Sequence, residues 1–131
     1  NQQEALAENV AYTTNEMMKG VIDKGTGTRL RSRYKLTNAI AGKTGTTQDN
    51  SDGWFIGGMP QILCGVWVGA DDPSVCFAST GSGQGASSSL PIWAKFMNRS
   101  FADKNLKVYF QSSQTIIEQP IIIKMKIFLM H

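Results

Sequence analysis

The chain has 131 residues, of which 41% are hydrophobic and 18% are charged, with a formal net charge of +3. This composition fits a folded domain rather than a disordered one, and the length allows one modest hydrophobic core. So small a charge gives no argument for nucleic acid as a partner, and we expect none. The one histidine is the last residue, so we expect no histidine to serve as a catalytic base or metal ligand.

The first predicted element is a helix from about Thr13 to Lys24. Thr13 and Glu16 have the spacing of a capping box at its start, and Gly25 suits the position just after its last residue. Apolar residues recur at helical spacing and indicate the face that enters the core. They are Met17, Met18, Val21 and Ile22.

A basic segment follows this helix. Its cations occupy alternate positions, namely Arg29, Arg31, Arg33 and Lys35. If the segment is extended, all four side chains point to one side, where they could contact an anionic surface. No aromatic-rich surface accompanies them, so we favour the alternative of a solvated loop.

Three strands joined by short turns are predicted next, at residues 38–47, 54–56 and 62–68, and they form an antiparallel meander. Cys64 lies in the apolar third strand, which is typical of a buried thiol. A disulfide with Cys76 is the alternative, although nothing in the sequence supports it.

A loop of small residues, 79–89, precedes a second helix that begins near Pro91. Apolar residues of this helix are spaced to lie on the sheet, namely Leu90, Trp93, Ala94, Met97 and Phe101. Beyond Leu106 the pattern decays. We therefore predict a domain over residues 1–103 and a tail of unclear structure over residues 104–131.

The segment from Gly42 to Thr46 has two interpretations. A phosphate-binding loop needs an earlier glycine, where this chain has Thr37, and a helix directly afterwards, where it has a turn. In the second interpretation the segment is an edge strand, in which the ammonium of Lys43 and the hydroxyls of Thr44 and Thr46 converge on an anionic group. Gly45 then lets a ligand approach the backbone, whose free groups can pair with an extended peptide or stabilise an oxyanion.

Lys43-Thr44-Gly45 is also a signature of penicillin-binding proteins and class A β-lactamases. The chain resembles the C-terminal part of the transpeptidase domain of a class A (bifunctional) penicillin-binding protein over about residues 5–103. The matching segments, in family order, are "MMKGVIDKGTGTRLR", "AGKTGTT", "DGWFIGG", "GVWVGADD" and "PIWAKFM". The resemblance implies an α+β fold, with a three-stranded antiparallel sheet flanked by helices, as an incomplete β-lactamase-like domain.

The resemblance also implies roles for the motif. Lys43 would be catalytic, binding substrate and supporting proton transfer at the nucleophile. Thr44, Gly45 and Thr46 would bind substrate, with the two hydroxyls on the carboxylate of a stem peptide or a β-lactam. The N–H of Thr46 would supply half the oxyanion hole. The parent would be a peptidoglycan D,D-transpeptidase that uses a serine acyl-enzyme and requires no cofactor and no metal.

The chain lacks the serine nucleophile that the family places upstream of this motif. The segment from Ser32 to Lys35 has the S-x-x-K spacing but lies just before Lys43, so we interpret it as a chance match. Ser51-Asp52-Gly53 follows the motif and lacks the asparagine of S-x-N. We therefore expect the fragment alone to be inactive. The alternatives are a D,D-carboxypeptidase or β-lactamase relative, and a non-catalytic penicillin-recognising module.

The expected partners are stem peptides, β-lactams, the remainder of the parent chain and a second copy of the fragment. The homodimer is expected because residues 62–68 would form an unpaired sheet edge, unless the isoleucine-rich tail folds back across it. The parent would be membrane-anchored, with this domain in the periplasm or at the cell exterior. The chain itself contains no recognisable targeting segment or long apolar run.

Overall fold

The computed structural model describes residues 6–60, 62–72, 74–106 and 121–124. In chain order the helices and strands are α1 (Glu8–Lys24), α2 (Arg29–Ser32), β1 (Ala41–Thr46), β2 (Asp52–Met59), β3 (Ile62–Gly69), α3 (Thr80–Gly83), α4 (Ser89–Ala102) and β4 (Ile121–Lys124). Among these residues, no helix combines the length and apolarity needed to cross a membrane.

Strands β1, β2 and β3 form the expected antiparallel meander, and the α+β class with flanking helices is confirmed. Strand β2 begins earlier than predicted, at Asp52, because the preceding turn is compact. In that turn Asn50 adopts a positive φ of 55°, and the Thr47 N–H donates to the Asp52 carbonyl oxygen at 3.2 Å. Thr44 lies opposite Phe55, and Phe55 lies opposite Val66, so these three residues share one face of the sheet.

A fourth strand extends the sheet beyond the meander. Strand β4 pairs in parallel with β3, with Ile121 opposite Ile62 and Lys124 opposite Gly65. Part of the tail therefore folds back across the β3 edge, which is the alternative stated above. The expected unpaired edge over residues 62–68 is wrong for Ile62–Gly65, because these residues pair with β4. The rest of the tail, 107–120 and 125–131, lies outside the described residues.

The core lies between one face of the sheet and the helices. Trp93 of α4 has no solvent exposure, and its ring meets Phe55 edge-on at a centroid distance of 5.3 Å. Its Nε1–H donates to the carbonyl oxygen of Cys64 at 3.1 Å, which satisfies the indole within the core. The predicted α4 stripe is buried from Leu90 to Met97, and Phe101 is half-buried.

The two cysteines have different environments. Cys64 is fully buried in β3, and burial raises the pKa of its thiol. Cys76 is exposed, and both thiols are free. The buried-thiol interpretation of Cys64 is confirmed, and the disulfide alternative is wrong.

Helix α1 differs from its prediction at its start and on its surface. It begins at Glu8, and the Thr13 hydroxyl donates to the carbonyl oxygen of Asn9 within the helix, so the predicted capping box does not form. Ile22 is fully buried, as expected. Met17, however, is 69% exposed, so its assignment to the core was wrong.

The basic segment is not an extended dock, and only its second half, with Arg33 and Lys35 exposed, fits the expected solvated loop. Its first half is helix α2, and Arg31 forms an ion pair with Asp23 at 2.9 Å while donating to the carbonyl oxygen of Leu36 at 2.6 Å. Arg29 donates to the carbonyl oxygen of Ala86 at 3.0 Å. These guanidinium groups therefore join segments of the fold, because each has enough donors to bridge several carbonyl oxygens.

Candidate functional site

The candidate site lies along β1. This strand pairs with β2 on one side, and no other described strand pairs with its second side. A turn follows it instead of a helix, which contradicts a phosphate-binding loop and agrees with an edge strand. Such an edge can pair with an extended peptide through its backbone groups.

Lys43 lies in the middle of β1 and is exposed. It stands opposite Ile56, on the sheet face away from the core, and its Nζ donates to the carbonyl oxygen of Thr44 at 2.9 Å. In the described part of the chain its ammonium forms no ion pair with a carboxylate. Its positive charge is therefore available to an anionic ligand at the strand edge.

Thr44 and Thr46 lie on the other face of β1, because side chains alternate along a strand. The Thr44 hydroxyl is 2.8 Å from the Thr26 hydroxyl, and either oxygen could be the donor. The Thr46 hydroxyl accepts from the Gly85 N–H at 3.2 Å. The structure thus brings the two hydroxyls to one face, while Lys43 lies on the opposite face and folds toward the strand edge.

A loop after helix α3 lies against the end of β1. A Cβ atom at Gly85 would come within 2.6 Å of the Gly45 carbonyl oxygen and closer still to that of Trp54, so the approach requires glycine. The Ser89 hydroxyl donates to the Gly53 carbonyl oxygen at 2.6 Å and is fully buried. This loop therefore sets where Thr46 sits.

Sequence reasoning missed three residues that border the motif: Thr26, Arg29 and Gly85. Thr26 contacts Thr44, Gly85 contacts Thr46, and Arg29 ties α2 to the residue after Gly85. Their signal was weak but present, since Thr26 and Gln84 each lie between two glycines. Such pairs mark places where backbone segments approach closely.

Neither serine that resembles a nucleophile is positioned to act as one. The Ser32 hydroxyl donates to the Thr28 carbonyl oxygen at 3.2 Å, which is a bond within its own helical turn. The Ser51 hydroxyl lies 3.0 Å from that of Thr47 and donates to the Asp52 carboxylate. Among the residues that the structure describes, no cluster of His, Cys, Asp and Glu could hold a metal ion.

Comparison with known proteins finds penicillin-binding proteins 1A and 1B among the relatives of this chain. Penicillin-binding protein 1A of Pseudomonas aeruginosa is 37% identical over 117 residues, which are 89% of this chain and 13% of the relative. Penicillin-binding protein 1A of Rickettsia typhi is 41% identical over 93 residues, or 71% of this chain and 11% of the relative. Penicillin-binding protein 1B of Vibrio cholerae is 33% identical over 101 residues, or 77% and 12%.

No family model matches the chain. The chain spans only 11–13% of the length of these relatives, so it is comparable with one segment of each. The similarity nevertheless covers most of the chain and agrees with the α+β architecture. The chain belongs to the class A penicillin-binding proteins, as a segment of one.

Proposed function

We propose that this chain supplies the substrate-binding strand of a peptidoglycan D,D-transpeptidase. The observation that carries the proposal is the edge position of β1, with two oriented hydroxyls at Thr44 and Thr46 and an ammonium at Lys43 that forms no ion pair among the described residues. An extended peptide could add to this edge as a further strand. The names of the relatives support penicillin binding, and the parent's reaction is our inference.

The carboxylate of the ligand would bind at the hydroxyl side of the strand. Thr44 has one proton to donate, and an ionised carboxylate accepts several hydrogen bonds, which makes such contacts stronger than neutral ones. Lys43 adds a positive charge close to the same edge. Together these groups would orient a peptide by its C-terminal end and leave the preceding amide bond over the strand.

The acyl-transfer step would use a serine from elsewhere in the parent chain. Its oxygen would attack the carbonyl carbon of that amide, the amine would leave with a proton, and an acyl-enzyme would form. Lys43 would support the proton transfer at the serine. The backbone N–H of Thr46 would stabilise the developing oxyanion, together with a second donor outside this chain.

The parent would be anchored in the membrane, with this domain in the periplasm or at the cell exterior. Stem peptides and β-lactams would be its ligands. The isolated chain would be inactive, because Ser32 and Ser51, the two serines that resemble the family's motifs, are engaged in local hydrogen bonds. Incubation with penicillin followed by intact-mass measurement should show no adduct, and an adduct on Ser32 would contradict this expectation.

The main test measures acylation by a fluorescent penicillin in the full-length protein that carries this segment. Lys43→Ala should slow acylation by about 100- to 1,000-fold, the usual loss when one preorganised electrostatic contact is removed. Thr44→Val should have a smaller effect in the same direction. Lys95→Ala, which removes an exposed lysine of α4, is the matched control.

Acylation rates of Lys43→Ala and Thr44→Val within about threefold of the parent would contradict the assigned roles. Product analysis separates the remaining enzyme classes. With an amine acceptor present, a transpeptidase forms a new amide, whereas a carboxypeptidase or β-lactamase relative forms only the hydrolysed acid. A penicillin-recognising module without chemistry would bind the ligand and form neither.

A further inference from the structure

The geometry points to Thr26 as a positioning residue that orients the ligand-binding hydroxyl of Thr44. Thr26 lies outside the Lys-Thr-Gly motif, in the turn between α1 and α2, and its Oγ1 is 2.8 Å from Oγ1 of Thr44. This inference rests on the proposed function, since it assigns a role within the same carboxylate-binding strand.

The turn that carries Thr26 is held tightly against the end of α1. The N–H groups of Gly25 and Gly27 both donate to the carbonyl oxygen of Val21, at 3.1 Å and 3.0 Å. A Cβ atom at Gly27 would lie 2.7 Å from Cδ1 of Ile22, which is fully buried. Backbone hydrogen bonds on both sides of Thr26, together with core packing at Gly27, therefore hold the backbone that presents its hydroxyl to β1.

The hydrogen-bond inventory of a hydroxyl sets the direction of this contact. Thr44 has one proton, and if that proton is donated to a carboxylate, its oxygen must accept from Thr26. Thr26 is then the donor in a chain that runs from Thr26 through Thr44 to the ligand. Each bond in such a chain polarises the next, so Thr26 would strengthen the Thr44 contact as well as directing it.

Without the Thr26 hydroxyl, the Thr44 hydroxyl could rotate to other rotamers and donate its proton to water instead of the ligand. The consequence should appear only with ligands that carry the carboxylate. A role in stability alone would affect all ligands equally. This difference separates a positioning residue from a structural one.

The experiment measures the second-order acylation rate constant of the full-length protein with benzylpenicillin and with its methyl ester. Thr26→Val should lower the benzylpenicillin rate by about three- to tenfold, as expected for one hydrogen bond. It should leave the ester rate unchanged. Thr26→Ser should restore the parent rate, because serine keeps the hydroxyl.

A double-mutant comparison shows whether Thr26 acts through Thr44. Thr26→Val combined with Thr44→Val should be no slower than Thr44→Val alone. Thr28→Val is the matched control for the turn, because Thr28 precedes α2 without a side-chain capping bond. If Thr26→Val does not fold, Thr26→Ala replaces it in the comparison of the benzylpenicillin and methyl ester rate constants.

Equal losses with benzylpenicillin and its ester, or additive losses in the double variant, would overturn the role of Thr26. Failure of the proposed function has another signature. In that case Lys43→Ala and Thr44→Val would also leave acylation unchanged, whatever the behaviour of Thr26→Val.

Discussion

The two faces of the sheet carry similar side chains and have opposite surroundings. Along β2, Phe55 is fully buried beneath α4, while its neighbours Trp54 and Ile56 are 44% and 46% exposed on the outer face. Leu63 of β3 shares that outer face and is 39% exposed. In the described part of the chain only the inner face is covered by helices. The outer face therefore has the composition of an interface, and under the proposed function it faces the remainder of the parent chain.

Helix α1 shows the same division. Ile22 is fully buried, whereas Val10 and Met17 are 48% and 69% exposed. Val10 and Met17 are seven residues apart and so lie on nearly the same side of the helix. An apolar stripe thus faces solvent here as well. Apolar character alone therefore does not distinguish a side chain in this core from one on the exposed surface.

The largest effect on the free energy of unfolding should distinguish the inner face of the sheet from the outer face. Trp93→Ala removes the ring that packs on Phe55 and should cost about 3–5 kcal/mol in the free energy of unfolding. Trp54→Ala removes an indole of the outer face and should cost less than about 1 kcal/mol. Chemical denaturation of the isolated chain measures both values. Equal losses would show that the outer face is as well packed as the inner one.

The second prediction concerns association. We propose that the isolated chain dimerises through the outer face, since β4 covers Ile62–Gly65 of the β3 edge. Ile56→Lys should raise the dimer dissociation constant by about tenfold or more, because an ammonium would have to leave water. Sedimentation equilibrium measures this constant.

The control for that prediction is a charge elsewhere on the exposed surface, for which Gln48→Lys in the β1–β2 turn is suitable. Val66→Lys would be uninformative, because Val66 is fully buried and the variant would unfold. A chain that stays monomeric at all accessible concentrations would contradict dimerisation.

The smallest effect should distinguish two glycines, of which one has open space around it and the other lies against the core. Gly20 lies within α1 and has open space around its missing Cβ atom, so Gly20→Ala should stabilise the chain by about 0.5–1 kcal/mol. Gly27→Ala should destabilise it, because the new methyl group would meet Ile22. Thermal melting of the two variants should therefore shift in opposite directions. A stabilising Gly27→Ala would mean that the turn holding Thr26 is looser than its contacts indicate.

Sequence reasoning succeeded where the information was local. The alternation of strands and the apolar stripe of α4 are patterns within a few residues, and they predicted the meander and the buried face of Trp93. It failed where burial depends on a distant partner. Met17 has the same apolar character as Ile22, and only the packing of α1 decides which of the two is covered. Arg31 was placed on a surface because its partner Asp23 becomes a neighbour only after the turn forms.

The candidate site divides in the same way. Lys43, Thr44, Gly45 and Thr46 form a contiguous motif, so their strand could be predicted. Thr26 reaches Thr44 only through the packing of α1 against β1. Gly85 reaches Thr46 from a loop that comes after β3 in the sequence. Contacts of this kind depend on tertiary structure, and no local spacing encodes them.

The parallel pairing of β4 with β3 has a consequence for the order of folding. The meander joins strands that are adjacent in sequence, so it can form early at little cost in loop closure. Strand β4 can reach β3 only after the chain has passed through α4, and parallel strands always need such a crossover. We therefore expect β4 to dock last and to open first. Its amide hydrogens should exchange with solvent at a lower opening free energy than those shared by β2 and β3.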